Sequence, residues 1–213
     1  ISFGLKGNTN ISSKILENDI SGLTLEINGH EMTSRLVGRF NAYNLLVAFA
    51  VGKYLGQDEL SLLTILSSVK APQGRFEYFL SDHKITAVID YAHTPDALEN
   101  VLKTLLDLKK GTEKLITVFG CGGNRDKGKR PLMGEIASRL SDQVLITSDN
   151  PRNEDPDSII NEIYHGVPSV LKEKVFTVTD RMEAIEMACN MASAGDVILI
   201  AGKGHENYQI IGN

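Results

Sequence analysis

The sequence predicts an α/β protein: a mostly parallel sheet with helices on both faces, preceded by a smaller β-then-helix segment. Three observations carry this. From residue 75 onward, short apolar runs alternate with helical patterns, the signature of βαβ units. Several of those runs are apolar without interruption, Val197-Ile198-Leu199-Ile200 most clearly, as strands buried on both faces require. Pro72-Gln73-Gly74 breaks the chain between the two kinds of segment, which sets domain boundaries at 1–71 and 72–213.

The 213 residues, 42% hydrophobic and 23% charged, suit one large or two small globular domains. A net charge of -5 argues against a broad basic surface for nucleic acid, though not against a local basic pocket. The two cysteines, Cys121 and Cys189, are far apart and lack CxxC spacing. A disulfide framework or zinc knuckle is therefore not expected, and a reducing cytoplasm is the simpler setting. No apolar run is long enough to span a bilayer, and no leader pattern opens the chain.

Taken in order, residues 1 to about 37 read as short strands and turns. Alternation from Leu23 to Ile27 meets a hairpin signal at Asn28-Gly29, and a further strand is expected over 31–37. Asn41 is placed as the N-cap of a buried helix that Gly56 stops, and a second helix is expected over 60–69. Asn41 and Asn44 share a face; amides so placed suit a purine edge, while capping accounts for at least one of them. In the second domain, strands are expected at 76–80, 85–90, 115–119, 144–147, 174–177 and 197–201. Helices are expected at 95–109, 131–140, 157–164 and 181–192.

The unusual residues gather after strands. The 85–90 strand runs into Asp90-Tyr91-Ala92-His93-Thr94-Pro95, where Asp90 can take a ribose hydroxyl, sit near a metal-bound phosphate, or cap a helix. His93 can position a carboxylate or phosphate, or merely pack. The 115–119 strand runs into a loop with three glycines and four cations, Arg125, Lys127, Lys129 and Arg130, ahead of a helix expected to start at Pro131. Backbone donors, cations and a helix N-terminus together make an anion site. The 144–147 strand ends in Asp149-Asn150-Pro151-Arg152. A residue before proline is pushed to extended dihedrals, which should throw the Arg152 guanidinium clear as a fork for a carboxylate. The 197–201 strand ends in Gly202-Lys203-Gly204-His205-Glu206, where a carboxylate can meet an ammonium. Arg75 can reach phosphates or lie free on the surface. In a parallel sheet all four loops share one edge, where ligands of open α/β sheets bind. Arginines for carboxylates beside carboxylates for an ammonium complement a small zwitterion.

Six ordered motifs then resemble the Mur ligases across essentially the whole chain. They are Gly38-Arg39-Phe40-Asn41 with Asn44, Gly74-Arg75-Phe76-Glu77, Asp90 to Asp96, Phe119 to Met133, Asp149 to Arg152, and Ala201 to Glu206. The resemblance implies a Rossmann-like carboxy-terminal Mur ligase domain, preceded by the tail of the central ATPase domain. It implies an ATP-dependent, amide-forming ligase with Mg²⁺ that joins meso-2,6-diaminopimelate to UDP-N-acetylmuramoyl-L-alanyl-D-glutamate through an acyl phosphate, for peptidoglycan. It assigns the amino acid to Arg125, Asp149, Asn150, Pro151, Arg152, Gly202 and Glu206, and ATP to Asn41, Asn44, Arg75, Asp90 and His93. It implies a cytoplasmic monomer with no membrane or nucleic-acid partner. Lysine-adding relatives carry a different residue where Arg152 stands, and an arginine left unpaired would penalise lysine.

The family's glycine-rich ATP loop and its carbamylated lysine are absent, and family members place both upstream of Ile1. The chain is therefore expected to be a piece of a longer ligase, inactive alone, with neither catalytic residues nor metal ligands of its own. The competing readings are a lysine-adding or cyanophycin-synthetase-like ligase, against which Arg152 and the Asp90–Asp96 motif stand, and a non-catalytic amino-acid or nucleotide sensor.

Overall fold

A computed structural model describes residues 1–5, 9–109 and 111–212. The chain divides into two compact units, Ile1–Ala71 and Pro72–Asn213.

The first unit is a four-stranded sheet with two helices. β1 (Phe3–Gly4) lies parallel to β2 (Ile11–Asp19); β3 (Gly22–Ile27) and β4 (His30–Ser34) follow antiparallel. Asn28 and Gly29 both have positive φ, 50° and 85°, the dihedrals a two-residue type I′ hairpin turn demands. Leu23, Leu25 and Ile27 pack with Leu46 and Phe49 of α1 (Arg39–Tyr54), all essentially buried; α2 (Glu59–Ser67) adds Leu63 and Leu66. One expectation is corrected here. Asn41 does not cap α1. The helix starts two residues earlier, after Gly38 at φ 91°, a conformation open to glycine at little cost. Asn41 sits inside the first turn, where its amide donates to the Val37 carbonyl at 2.8 Å and accepts from Asn44 at 3.0 Å.

The second unit is the α/β body. Its six strands are β5 (Glu77–Leu80), β6 (Thr86–Asp90), β7 (Leu115–Phe119), β8 (Gln143–Ile146), β9 (Val175–Thr177) and β10 (Val197–Ala201). They lie in the order β5-β6-β10-β7-β8-β9. All neighbours are parallel except β5, which pairs antiparallel at the edge. The helices are α3 (Pro95–Leu108), α4 (Lys129–Leu140), α5 (Pro156–His165) and α6 (Arg181–Met191), with a 3₁₀ turn at Ser169–Lys174. Every residue of β7 is buried, as a central parallel strand covered on both faces must be. Thr94, Asp155 and Asp180 cap α3, α5 and α6 by accepting backbone N–H bonds, and Pro follows the first two caps. The last strand in sequence, β10, inserts between β6 and β7. The loops that leave β6, β10, β7 and β8 therefore sit on four adjacent strands at one carboxyl edge.

Helix α4 also begins two residues before the expected Pro131. Arg130 thus belongs to the helix and is fully buried, not part of a solvated basic loop.

Candidate functional site

The β7 and β8 loops are stitched together by backbone. Gly123 donates its N–H to the Asn150 carbonyl at 2.9 Å. A Cβ at Gly123 would overlap the Pro151 carbonyl oxygen, so this approach needs glycine. Asn124 donates to a Glu154 carboxylate oxygen, and Asn153 donates to the Asn124 side chain at 3.1 Å.

Most of the expected anion site is already neutralised. Arg130 donates to Glu154 at 3.0 and 3.1 Å, to Glu162 at 2.8 Å and to the Gly122 carbonyl at 3.3 Å. Lys127 pairs with Glu154 at 3.2 Å, and Lys129 donates to the His93 carbonyl at 2.7 Å. The Arg130 hydrogen bond and the Asn124 amide hold the Glu154 carboxyl down to about 2. A buried guanidinium requires such partners, because an unpaired charge away from water costs several kcal/mol. Of the four cations in this loop, only Arg125 is exposed without a partner among the described residues.

Arg152 is not thrown clear. It is half-buried, with φ 51°. Its backbone donates to the Ile210 carbonyl at 3.0 Å and accepts from Gly212 at 2.8 Å, so the segment past β10 pairs alongside it. Its guanidinium Nη1 donates to the Gly123 carbonyl at 2.9 Å and to the Asn150 carbonyl at 3.3 Å. Nε and Nη2 have no partner among the described residues, so one side of the fork fastens the two loops and the other is unpaired.

The acidic side is built from β8 and β10. Asp149 is 9% exposed; its Oδ1 accepts the Asn150 N–H at 2.8 Å, while Oδ2 is buried without a hydrogen bond. That orphan oxygen faces Gly202, at φ 106°, where a Cβ would come within 3.1 Å of it. Glu206 accepts from the Asn150 side-chain amide at 3.1 Å and, weakly, from the Tyr91 hydroxyl at 3.4 Å. Lys203, which sequence reasoning left as an ordinary charge between two glycines, is 8% exposed. Its Nζ donates to Asn150 Oδ1 at 2.7 Å and the Tyr208 carbonyl at 2.6 Å, with Glu206 at 3.6 Å. Burial lowers its pKa, opposed by Asp149 and Glu206. Arg181, also missed, donates to the Ala201 carbonyl at 2.9 Å and brings a second, half-buried cation towards Asp149. The signal that could have found it was the expected helix over 181–192 directly after the strand over 174–177, which in a parallel sheet starts at this edge.

The residues expected at a nucleotide fall into two groups. Asn41 and Asn44 lie in the first unit, bonded to each other. Arg75, Asp90 and His93 lie in the second, around Tyr91. The Arg75 guanidinium stacks 4.5 Å from the Tyr91 ring centroid, and the His93 ring meets Tyr91 edge-on at 4.7 Å. His93 Nδ1 is 2.8 Å from the Tyr91 carbonyl. Asp90 has both oxygens engaged, by Phe76 N–H at 2.8 Å and Ala92 N–H at 2.7 Å, and burial raises its pKa. It ties the segment before β5 to the end of β6. Among the described residues, no three His, Cys, Asp or Glu side chains cluster to hold a metal ion. No helix of the described residues is long and apolar enough to cross a membrane.

Comparison with known proteins matches this arrangement to one family. The Mur ligase glutamate ligase domain matches residues 74–204. The UDP-N-acetylmuramoyl-L-alanyl-D-glutamate–2,6-diaminopimelate ligase of Cytophaga hutchinsonii is 51% identical over 209 residues, 98% of this chain and 43% of that protein. Its counterpart from Parabacteroides distasonis is 49% identical over 99% of this chain and 43% of that protein. A solved structure of a ligase of that name superposes with a TM-score of 0.69 at 38% identity, over 98% of this chain and 43% of that one. The UDP-N-acetylmuramate-alanine ligase of Thermotoga maritima, 23% identical over 94% of this chain and 44% of that one, shares the fold with a TM-score of 0.71. The chain thus spans about 43% of the length of the curated relatives it matches. The fold, the ordered loops at one sheet edge and the domain match agree, and the chain belongs to the Mur ligase family.

Proposed function

We propose that this chain is the amino-acid-binding part of a ligase that adds meso-2,6-diaminopimelate to UDP-N-acetylmuramoyl-L-alanyl-D-glutamate in peptidoglycan synthesis. The observation that carries the reading is the open edge formed where β7, β8 and β10 end. Arg125 and the free side of the Arg152 fork stand for carboxylates, and Glu206 with the orphan Asp149 oxygen stands for an ammonium. Gly202 has no side chain to block that approach, and Asn150 supplies the neutral amide between the two charge types. Pro151 holds the turn that presents them. The names of the relatives support the same substrate.

On this reading, the second unit is the carboxy-terminal Mur ligase domain and the first is the tail of the central ATPase domain. ATP, with Mg²⁺, would activate the substrate carboxylate as an acyl phosphate, which the diaminopimelate amine converts to an amide with release of phosphate. Arg75, exposed over Tyr91, is a cation of the second unit available for a phosphate, with His93 on the same ring; Asn41 and Asn44 are the residues of the first unit that the resemblance assigns to ATP. Asp90 acts by fixing the Arg75 segment. The donor set here offers no magnesium cage, so no step is assigned to a metal held by this chain. A cytoplasmic monomer suffices.

The test is amino-acid-dependent ADP release by the full-length protein, with diaminopimelate and lysine offered in parallel. Arg152→Ala should cost ~1.5–3 kcal/mol in kcat/KM for diaminopimelate, the value of a hydrogen-bonded charge. Arg152→Lys, which keeps a donor for the Gly123 carbonyl, controls for loosened loops. Undiminished use of diaminopimelate by the alanine variant would remove Arg152 from the site. Preference for lysine by the wild type would favour a lysine-adding enzyme.

A further inference from the structure

The loop after β10 holds a buried lysine that the functional reading does not use. Lys203 lies between Gly202 at φ 106° and Gly204 at φ 51°. Neither glycine has room for a side chain: a Cβ on Gly202 would press on Asp149 Oδ2 at 3.1 Å, and one on Gly204 on the Gly74 carbonyl at 2.8 Å. The two positive dihedrals fold the loop tightly, and the Lys203 ammonium ends inside it, 8% exposed. A lysine ammonium has three N–H donors and no acceptor. Here they meet Asn150 Oδ1 at 2.7 Å, the Tyr208 carbonyl at 2.6 Å and Glu206 Oε2 at 3.6 Å.

The consequence falls on Asn150. Its side chain has an oxygen that accepts and a nitrogen that donates, and a half-turn exchanges them. The oxygen receives both the Lys203 ammonium and the Ile210 N–H at 2.9 Å. Two donors on that side leave one orientation: Oδ1 towards Lys203, Nδ2 towards Glu206 Oε2 at 3.1 Å. Turning the amide over would set its NH₂ against an ammonium and a backbone N–H. It would also aim its oxygen at a carboxylate. The same cation lies 3.6 Å from Glu206 Oε2, in a half-buried place.

We propose that Lys203 is the positioning residue that sets the polarity of the amino-acid pocket, locking Asn150 with its amide N–H₂ towards Glu206 Oε2. It touches no substrate. It acts through the two residues that would. The inference deepens the proposed function and rests on it for the identity of the ligand.

The test uses the full-length protein and Lys203→Met, which keeps the length of the side chain and removes its charge and donors. The KM for diaminopimelate should rise about tenfold or more, as for a charged hydrogen bond lost behind a binding group, while the KM for ATP stays within about twofold. A rise in both constants together, or in neither, would overturn the positioning role. Lys203→Gln removes the charge, retains two N–H donors and carries the same comparison if the methionine variant does not fold. A second readout is independent of turnover: the side-chain amide resonances of Asn150 by NMR. In both variants they should shift and lose protection from exchange, while the backbone amide of Gly123 in the same stitched loops keeps its protection. Unchanged Asn150 resonances would overturn the inference even where kinetics change. If the wild-type protein shows no diaminopimelate-dependent turnover, the substrate reading falls, and the resonances alone decide what Lys203 does to Asn150.

Discussion

Two charged clusters stand side by side at the carboxyl edge, and they are built from the same residue types to opposite ends. The Arg130 cluster is closed. Its guanidinium is fully buried, both Glu154 oxygens and one Glu162 oxygen are taken, and only the Arg130 Nε, out of reach of solvent, lacks a partner among the described residues. The Lys203 cluster is open: Glu206 Oε1 has only a long hydrogen bond, and Arg125 and half of the Arg152 fork are free among the described residues. Residue type does not separate a structural ion pair from a binding site. Access does: Arg125 is exposed, and Arg152 and Glu206 are half-buried with donors and acceptors to spare, whereas the unfilled Arg130 Nε is sealed inside its cluster.

The largest expected effect breaks the closed cluster. Arg130→Ala removes the cation that Glu154 and Glu162 share and leaves a cavity at the start of α4. Removing one partner of a fully buried pair costs about 3–5 kcal/mol. Glu162 keeps 40% of its side chain exposed and can rehydrate, so the expectation lies near the lower end, about 3 kcal/mol. Chemical denaturation of the variant checks it. A loss below about 1 kcal/mol, the scale of a surface pair, would mean that the cluster is ornament and the contrast with the open one is empty.

A smaller effect sharpens the contrast through pH. The Glu154 carboxyl is held down to about 2 by the Arg130 hydrogen bond and the Asn124 amide, against 4.5 for an ordinary glutamate. A depressed folded value means that the stabilisation is complete above about 4.5 and is lost as pH falls towards 2. Glu154→Gln should therefore be less stable than wild type at neutral pH, with the gap closing between these values. A gap that stays constant from pH 6 to pH 2 would show that Glu154 is not ionically coupled to Arg130.

These two clusters also show how far a sequence can be read. The α/β class was legible because strand-helix alternation and uninterrupted apolar strands are local patterns. The insertion of β10 between β6 and β7 was not, because alternation gives the order of strands along the chain and not across the sheet. Arg130 looked like one more cation in a basic loop because its partners lie 24 and 32 residues away. Lys203 drew no separate expectation for a similar reason: its partners Tyr208 and Asn150 come together with it only in the fold. Asn41 was misread as a cap because asparagine is a strong capping residue, while Gly38 starts the helix earlier with no side-chain cap at all. The Asp149–Arg152 turn was visible as a turn; that Arg152 also fastens the Gly123 carbonyl required the folded neighbour.

The smallest expected effect concerns the floor beneath the open cluster. Cys121 begins the glycine loop, buried at 2% exposure with its sulfur 3.7 Å from Met133 Sδ. Burial pushes its thiol up to about 12, so almost no thiolate exists at neutral pH. Cys189 on α6 is exposed. An alkylating reagent at pH 7.5 should therefore modify Cys189 first and reach Cys121 only when the β7 loop opens. Peptide mass mapping over time measures both rates in one sample. If the Arg130 cluster is what keeps that loop shut, Arg130→Ala should speed labelling of Cys121 and leave Cys189 unchanged. Equal labelling of Cys121 in wild type and variant would place the control of loop opening elsewhere, and the closed cluster would then be a stabilising pair without a hold on the site beside it.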